Sequence, residues 1–258
     1  MTVSTEFFTV TKEQLPSKAY ELTFRRPLYK DRREAMRRIM PMGQNANSRD
    51  IYDALGYGFE ELLIAMCLEK VDGQAPQQQF IKDPIDKIKV FPTADIQYLV
   101  SLFYEAFTLN PDTDAQDIRN IALELKKTQD NYFSVPASVL PSGSDLTVNF
   151  GAPNQASHVD AYRLWKPELG CDQSELIFAS CLTHINRNPV GYNRLNPLEI
   201  LDTWEWIDVQ FVLGVFVSMF YLETETREEA KSLGKQLRKK GSVSTTLSPK
   251  EDKPSKKD

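Results

Sequence analysis

Histidine and cysteine are scarce in this chain: two and three residues respectively, out of 258. Two histidines leave little room for a His-rich metal site or a His-based catalytic triad. Three cysteines (Cys67, Cys171, Cys181) are too few, and odd in number, for a disulfide framework. A reducing compartment is the simplest expectation. Long apolar runs are also missing. The longest, Phe211 to Leu222, is interrupted by Gly214 and Ser218 and falls short of the ~20 residues that cross a bilayer. Met1 to Phe8 has no charged region ahead of an apolar core, so no secretory signal is expected. Gly-rich phosphate loops are absent: Gly56-Tyr57-Gly58 has neither a third glycine nor a following Lys-Ser/Thr. What remains is a chain 41% apolar and 26% charged with net charge −5. That composition excludes disorder for the bulk of the sequence. It gives no global drive toward nucleic acid or anionic membrane.

The chain reads as written twice. Phe8-Thr9-Val10, Leu15-Pro16-Ser17 and Glu21-Leu22-Thr23 return as Phe133-Ser134-Val135, Leu140-Pro141-Ser142 and Asp145-Leu146-Thr147. Glu61 to Leu68 returns as Glu175 to Leu182, Asp83-Pro84-Ile85-Asp86 as Asn196-Pro197-Leu198-Glu199, and Asp95-Ile96-Gln97 as Asp208-Val209-Gln210. Phe103, Phe107 and Leu109 map onto Phe216, Phe220 and Leu222. Their common order points to a tandem duplication. Copy one spans 1–127 and copy two 131–240. The Ser-, Thr-, Pro- and Lys-rich stretch 241–258 reads as a disordered tail.

Each copy is expected to be a β-hairpin followed by helices. The fold class is therefore mainly α with small β-hairpins (α+β). Phe7 to Val10 and Tyr20 to Phe24 read as strands around a Leu-Pro-Ser loop, with Tyr132 to Val135 and Leu146 to Phe150 as their twins. Phe59 to Val71 is apolar on most faces and reads as a buried helix stopped by Asp72-Gly73. Asp83-Pro84 and Asn196-Pro197 look like helix starts. Ile96, Leu99, Val100, Phe103 and Phe107 share one helical face, as do Val209, Val212, Leu213, Phe216 and Phe220. Asp95 and Asp208 fall in the first turn, where the helix dipole accounts for an acid. Terminal helices are expected over Asp114–Lys127 and Thr226–Lys240.

The residues that carry chemistry read as structure. Glu205 and Asp208 stand near Trp204 and Trp206, but the twin segment lacks the first acid. Cys67 and Cys181 sit on apolar faces, where a thiol behaves as a small hydrophobe. His184 follows Cys181 by one turn, but copy one has Lys70 there. His158 is placed in a polar loop. Ser142-Gly143-Ser144 reads as a turn. No catalytic, cofactor or metal site is expected.

The feature that breaks the repeat is charge. Residues 25–40 hold Arg25, Arg26, Lys30, Arg32, Arg33, Arg37 and Arg38 against Asp31 and Glu34. The twin stretch 149–165 holds only Arg163 against Asp160. A solvated helix face, or docking to an acidic protein, is expected. A nucleic-acid face using residues 25–38 is the alternative. Trp204 and Trp206, absent from copy one, are candidate partner anchors or core residues.

Leu22-Thr23-Phe24-Arg25-Arg26-Pro27-Leu28-x-x-Asp31-Arg32-Arg33, the apolar stretch closing on Val71-Asp72-Gly73, and Asp95-Ile96-Gln97-x-Leu99-Val100-x-x-Phe103-x-x-x-Phe107 together resemble a family. It is that of the small baseplate-hub and tail-assembly chaperone proteins of contractile-tailed, T-even-type bacteriophages. Members are usually single-copy, so the duplication is a departure. The resemblance implies a non-enzymatic role, with other tail or baseplate proteins as partners and no membrane or cofactor. Nucleic acid is not an implied partner. The location implied is the host cytoplasm during assembly, or the virion tail.

Overall fold

The computed structural model describes residues 7–39, 48–76, 81–110, 112–128, 132–191 and 197–221, together with Glu228, Lys231, Ser232 and Lys235. The Asn196 cap, Leu222, most of the expected helix Thr226–Lys240 and the tail 241–258 lie outside the described residues. Everything up to Phe220 forms one compact unit, and Tyr221 onward a second. In the second, Glu228 and Lys231 form an ion pair at 2.5 Å.

The fold is α+β, mainly helical with two small antiparallel sheets. In the first half, strands β1 (Phe7–Val10), β2 (Leu22–Arg25) and β3 (Leu68–Val71) form a sheet in the order β1-β2-β3. Between β2 and β3 come helices α1 (Tyr29–Ile39), α2 (Ser48–Leu55) and α3 (Phe59–Cys67). A 3-10 turn (Pro84–Lys87), α4 (Thr93–Phe107) and α5 (Asp114–Lys127) follow. The second half runs through β4 (Tyr132–Val135), β5 (Val148–Gly151), α6 (Gln155–Leu164), α7 (Gln173–Cys181), β6 (Leu182–Ile185) and β7 (Asn188–Pro189). It ends with a 3-10 segment (Pro197–Thr203) and α8 (Trp206–Phe220). Its sheet order is β4-β5-β6-β7.

The two halves use the same packing devices. Phe8 faces Phe24 across β1 and β2, and Phe133 faces Phe150 across β4 and β5. Two phenylalanines one turn apart close each cluster from the helix above. Phe24 meets Phe103 edge-on at 5.3 Å, and Phe150 meets Phe216 at 5.6 Å. Phe107 and Phe220 complete the two quartets. Edge-to-face pairs of this kind add to the burial of the rings themselves.

The expected helix Phe59–Val71 is wrong at its end. It stops at Cys67, and Leu68 turns extended (φ −68°, ψ 118°) to begin β3. Pairing with β2 outweighs local helical pattern. The left-handed residues at Asp72 (φ 50°) and Gly73 (φ 78°) make a tight turn after the strand rather than a helix cap. Val71 and Gln74 exchange both backbone bonds across it. The second half does the same: α7 stops at Cys181, β6 follows, and Asn186 and Arg187 take the positive φ angles. His184 is therefore on a strand, paired with Asn149 and Pro189. His158 lies in α6 and not in a loop. Strand pairing also shifts one sequence match. Leu22 opposes Val71 as Val148 opposes Ile185, so the partner of Leu22-Thr23-Phe24 is Val148-Asn149-Phe150, not Leu146-Thr147.

Asp83 caps as expected, accepting from Ile85 N at 3.1 Å while Asp86 accepts from Asp83 N at 2.9 Å. What it starts is only the short 3-10 turn. Asp95 and Asp208 do more than complement a dipole. Each is fully buried and takes the serine of the Leu-Pro-Ser loop. Ser17 donates its N–H at 2.9 Å and its hydroxyl at 2.5 Å to Asp95. Ser142 donates likewise to Asp208 at 3.1 and 2.6 Å. In each half a carboxylate rivets the strand loop to that same helix.

Candidate functional site

The arginine cluster is the most chemically distinct feature of the chain, and the structure places it on and before α1. This helix forms because Tyr29 to Ile39 contains no glycine, proline or β-branched residue before its last position. Its apolar side, Tyr29, Ala35 and Ile39, is buried. α1 packs against α3 of its own half. It also packs on the Pro167–Leu169 turn, the Pro197–Thr203 segment and α8 of the other half. Part of the charged side, Arg32 and Arg33 above all, therefore faces a seam between halves, while Lys30 and Arg37 stay exposed.

Backbone fixes the seam first. Tyr29 N–H donates to the Trp204 carbonyl and Trp206 N–H to the Pro27 carbonyl, each at 2.9 Å. Leu28 and Glu205 make an isolated bridge between them. Trp204 is buried. Trp206 stacks near Tyr29, with ring centroids 5.9 Å apart, and the Arg32 guanidinium lies 5.0 Å above its ring. Both tryptophans serve the joint within the chain.

The arginines then take carboxylates. Arg26 meets Glu205 at 3.1 Å and donates to the Ser142 carbonyl at 3.2 Å. Arg33 meets Asp202 at 2.7 Å and donates to the Leu169 carbonyl. Arg32 reaches both oxygens of Glu175, at 3.0 and 3.1 Å, but only the contact to Oε2 has hydrogen-bond geometry. Arg32 also donates to the Gly170 carbonyl at 2.8 Å. Within the first half, Arg25 grips Asp31 with both terminal nitrogens, at 2.5 and 2.7 Å, and also meets Glu69. Arg37 pairs with Glu34, and Arg38 with Glu34 and Asp83. Each of the six arginines expected to contact a partner thus already holds a carboxylate of this chain. The expectation of a simply solvated helix face fails for Arg25, Arg32 and Arg33, whose side chains are largely buried.

Electrostatics follow from that burial. Burial disfavours the Arg25 charge, but the Asp31 hydrogen bond and nearby acids more than restore it, and its pKa rises. Burial pushes Glu175 up, opposed chiefly by Arg32. Asp202 is also raised by burial, against the pull of Arg33. Next to Glu175 sits the fully buried Tyr29, whose hydroxyl has no hydrogen-bond partner among the described residues. Its phenol is pushed up by burial and by Glu175. Cys171, buried beside the same group, is pushed up to about 12 by burial. A thiol held protonated in this way is a poor nucleophile.

Sequence reasoning missed the acceptors, Glu175, Asp202 and Asp31. For Glu175 a signal existed: it matches Glu61, and both close helix starts. Gly58 N–H donates to Glu61 and Asp172 N–H to Glu175. In the first half the second oxygen takes the Tyr52 hydroxyl at 2.6 Å, and in the second half the carboxylate takes Arg32.

Other candidates are placed as follows. Glu205 and Asp208 have separate duties, one to Arg26 and one to Ser142 and Ser144. All three thiols are free and buried. Among the described residues, no three His, Cys, Asp or Glu side chains gather as a metal site, and no helix is long and apolar enough to cross a membrane. No family of known proteins, no curated protein and no solved structure matches the chain.

Proposed function

We propose that this chain is a non-enzymatic assembly protein of a contractile phage tail, a baseplate-hub component or tail assembly chaperone built as two copies of one plan. It acts through protein–protein contacts, in the host cytoplasm during assembly or in the virion tail. The observation that carries the reading is the fate of its reactive side chains. Asp95, Asp208, Glu175, Asp202 and five of the six arginines are occupied in bonds that hold elements together, and the sixth, Arg37, pairs with Glu34 on its own helix. Meanwhile Phe7, Tyr104, Tyr132 and Tyr162 are left more than half exposed, the residue types that anchor protein interfaces. The resemblance in residues 22–33 and 95–107 supplies the particular setting.

Affinity capture with the tagged chain against its neighbouring gene products tests this. Capture of a tail, sheath or tape-measure protein is the expected result. The absence of any such gene beside its own, together with no capture, overturns the reading.

A further inference from the structure

An open cleft of about 600 Å³ lies along the outer side of α1, against the Pro84–Lys87 turn. That volume is in the range of ligand-binding clefts. Its acids are spoken for: Asp31 holds Arg25, Glu34 holds Arg37 and Arg38, Asp83 holds Arg38, and Asp202 holds Arg33. Its lysines are held less closely. The amines of Lys30 and Lys82, both exposed, make no hydrogen bond or close ion pair among the described residues, and Lys30 acts on Asp202 only at longer range. Lys87 is half-buried and gives a single bond to the Leu68 carbonyl at 3.0 Å. Burial lowers its pKa, against the pull of the nearby Glu69 and Asp31 carboxylates. Between the lysines, Met66, Ile81 and Pro84 supply an apolar floor.

We propose that this cleft docks an acidic segment of a partner protein, whose carboxylates meet Lys30, Lys82 and Lys87 while an aliphatic side chain rests on Met66 and Ile81. The inference rests on the reading that the chain works through protein–protein contacts. One feature favours separate carboxylates over a nucleic-acid strand. Among the described residues, no aromatic ring lines the cleft to stack a base.

The test is fluorescence anisotropy on the full chain with three probes: a labelled peptide alternating Glu and Leu, its Gln-for-Glu twin, and a short oligothymidylate. The Glu peptide binds, and the Gln twin binds at least ~10-fold more weakly. The double variant K30E/K82E loses ~10-fold or more of the peptide affinity, because like charges then face each other. K87Q weakens binding less. R163E, on α6, leaves it unchanged. Both reversed lysines are exposed, and an unchanged melting curve verifies that the variant folds. Peptide binding indifferent to K30E/K82E, a Gln twin that binds as well, or oligothymidylate that displaces the peptide each overturns the proposal. The two readings part in the same experiment. Capture of tail proteins undiminished in K30E/K82E overturns the cleft and spares the assembly role. Peptide binding lost in K30E/K82E, with no tail protein captured by the native chain, supports the cleft and tells against the tail.

Discussion

Glu61 and Glu175 occupy the same place in the two halves, and their surroundings differ. Both close the first turn of a helix onto a backbone N–H. Glu61 stays partly exposed and takes a tyrosine hydroxyl; Glu175 is buried under α1 and takes an arginine. The difference lies in the helix that follows the second strand. In the second half that helix, α6, packs on α7 of its own half and leaves Tyr162 exposed. In the first half it is α1, arginine-rich and laid across the other half. The phenylalanine quartet and the serine–aspartate rivet are held in common. The helix between them is the free variable, and here it has become a clamp.

Breaking the clamp should give the largest effect. Gly170 has φ +65°, and a Cβ there would lie 2.0 Å from the Arg33 carbonyl oxygen. Gly170→Ala must lift α1 from its seat, and is expected to cost ~4 kcal/mol or more in chemical denaturation. Gly143 also has positive φ (+74°) but open space around it, so Gly143→Ala should cost only about 1 kcal/mol of backbone strain. Equal losses in the two variants would deny the close approach. Next is Arg32→Ala, which leaves Glu175 buried without its cation and should cost ~3 kcal/mol. Glu61→Ala, on the exposed counterpart, should cost clearly less. Arg32 and Arg33 are for this reason poor sites for probing partner binding by charge reversal.

The rivets sharpen the comparison from the other side, because there the halves should agree. Asp95→Ala and Asp208→Ala each remove a buried carboxylate that accepts both a serine hydroxyl and a backbone N–H, and each should lose about 2 kcal/mol. Asp208 also accepts Ser144 Oγ at 2.8 Å, so its variant should be the worse of the two. The smallest effect expected is a decline toward alkaline pH. Burial raises the pKa of Cys67 and Tyr29, and that of Cys171 to about 12. The unfolded chain releases these protons near their ordinary values of 9.0 and 10.0, while the folded chain keeps them. The folded state then binds more protons, so stability falls as pH rises through that range. Melting temperatures from about pH 8 to about pH 10.5 should drop, and Cys171→Ala should lessen the drop. A flat profile would contradict the burial of these groups.

Much of this was legible in the sequence. The phenylalanine spacing on α4 and α8, the hairpin strands β1, β2, β4 and β5 and the Asp83 cap all follow from local periodicity and capping chemistry. Leu68 reads as helix because its strand character comes from pairing with β2, which no local window contains; Leu182 pairs with β5 in the same way. The acceptors of the arginine clamp were hidden for the same reason. Arg33 and Asp202 are 169 residues apart, and nothing at either position names the other. The asymmetry of charge between residues 25–40 and 149–165 did mark the right helix. It could not say that the counter-charges lay in the same chain.

The bridge between Pro27–Tyr29 and Trp204–Trp206 has a consequence for synthesis. Arg26 and Glu205 are separated by 179 positions, so α1 leaves the ribosome long before its seat exists. At about 5–20 residues per second, the interval is roughly 10–40 s. During it the Phe8, Phe24, Phe103 and Phe107 core of the first half can assemble from contacts closer along the chain. Tyr29, Arg26, Arg32 and Arg33 meanwhile wait in water for their second-half partners. The clamp is thus a late event on the folding path, and damage to it should speed unfolding far more than it slows folding.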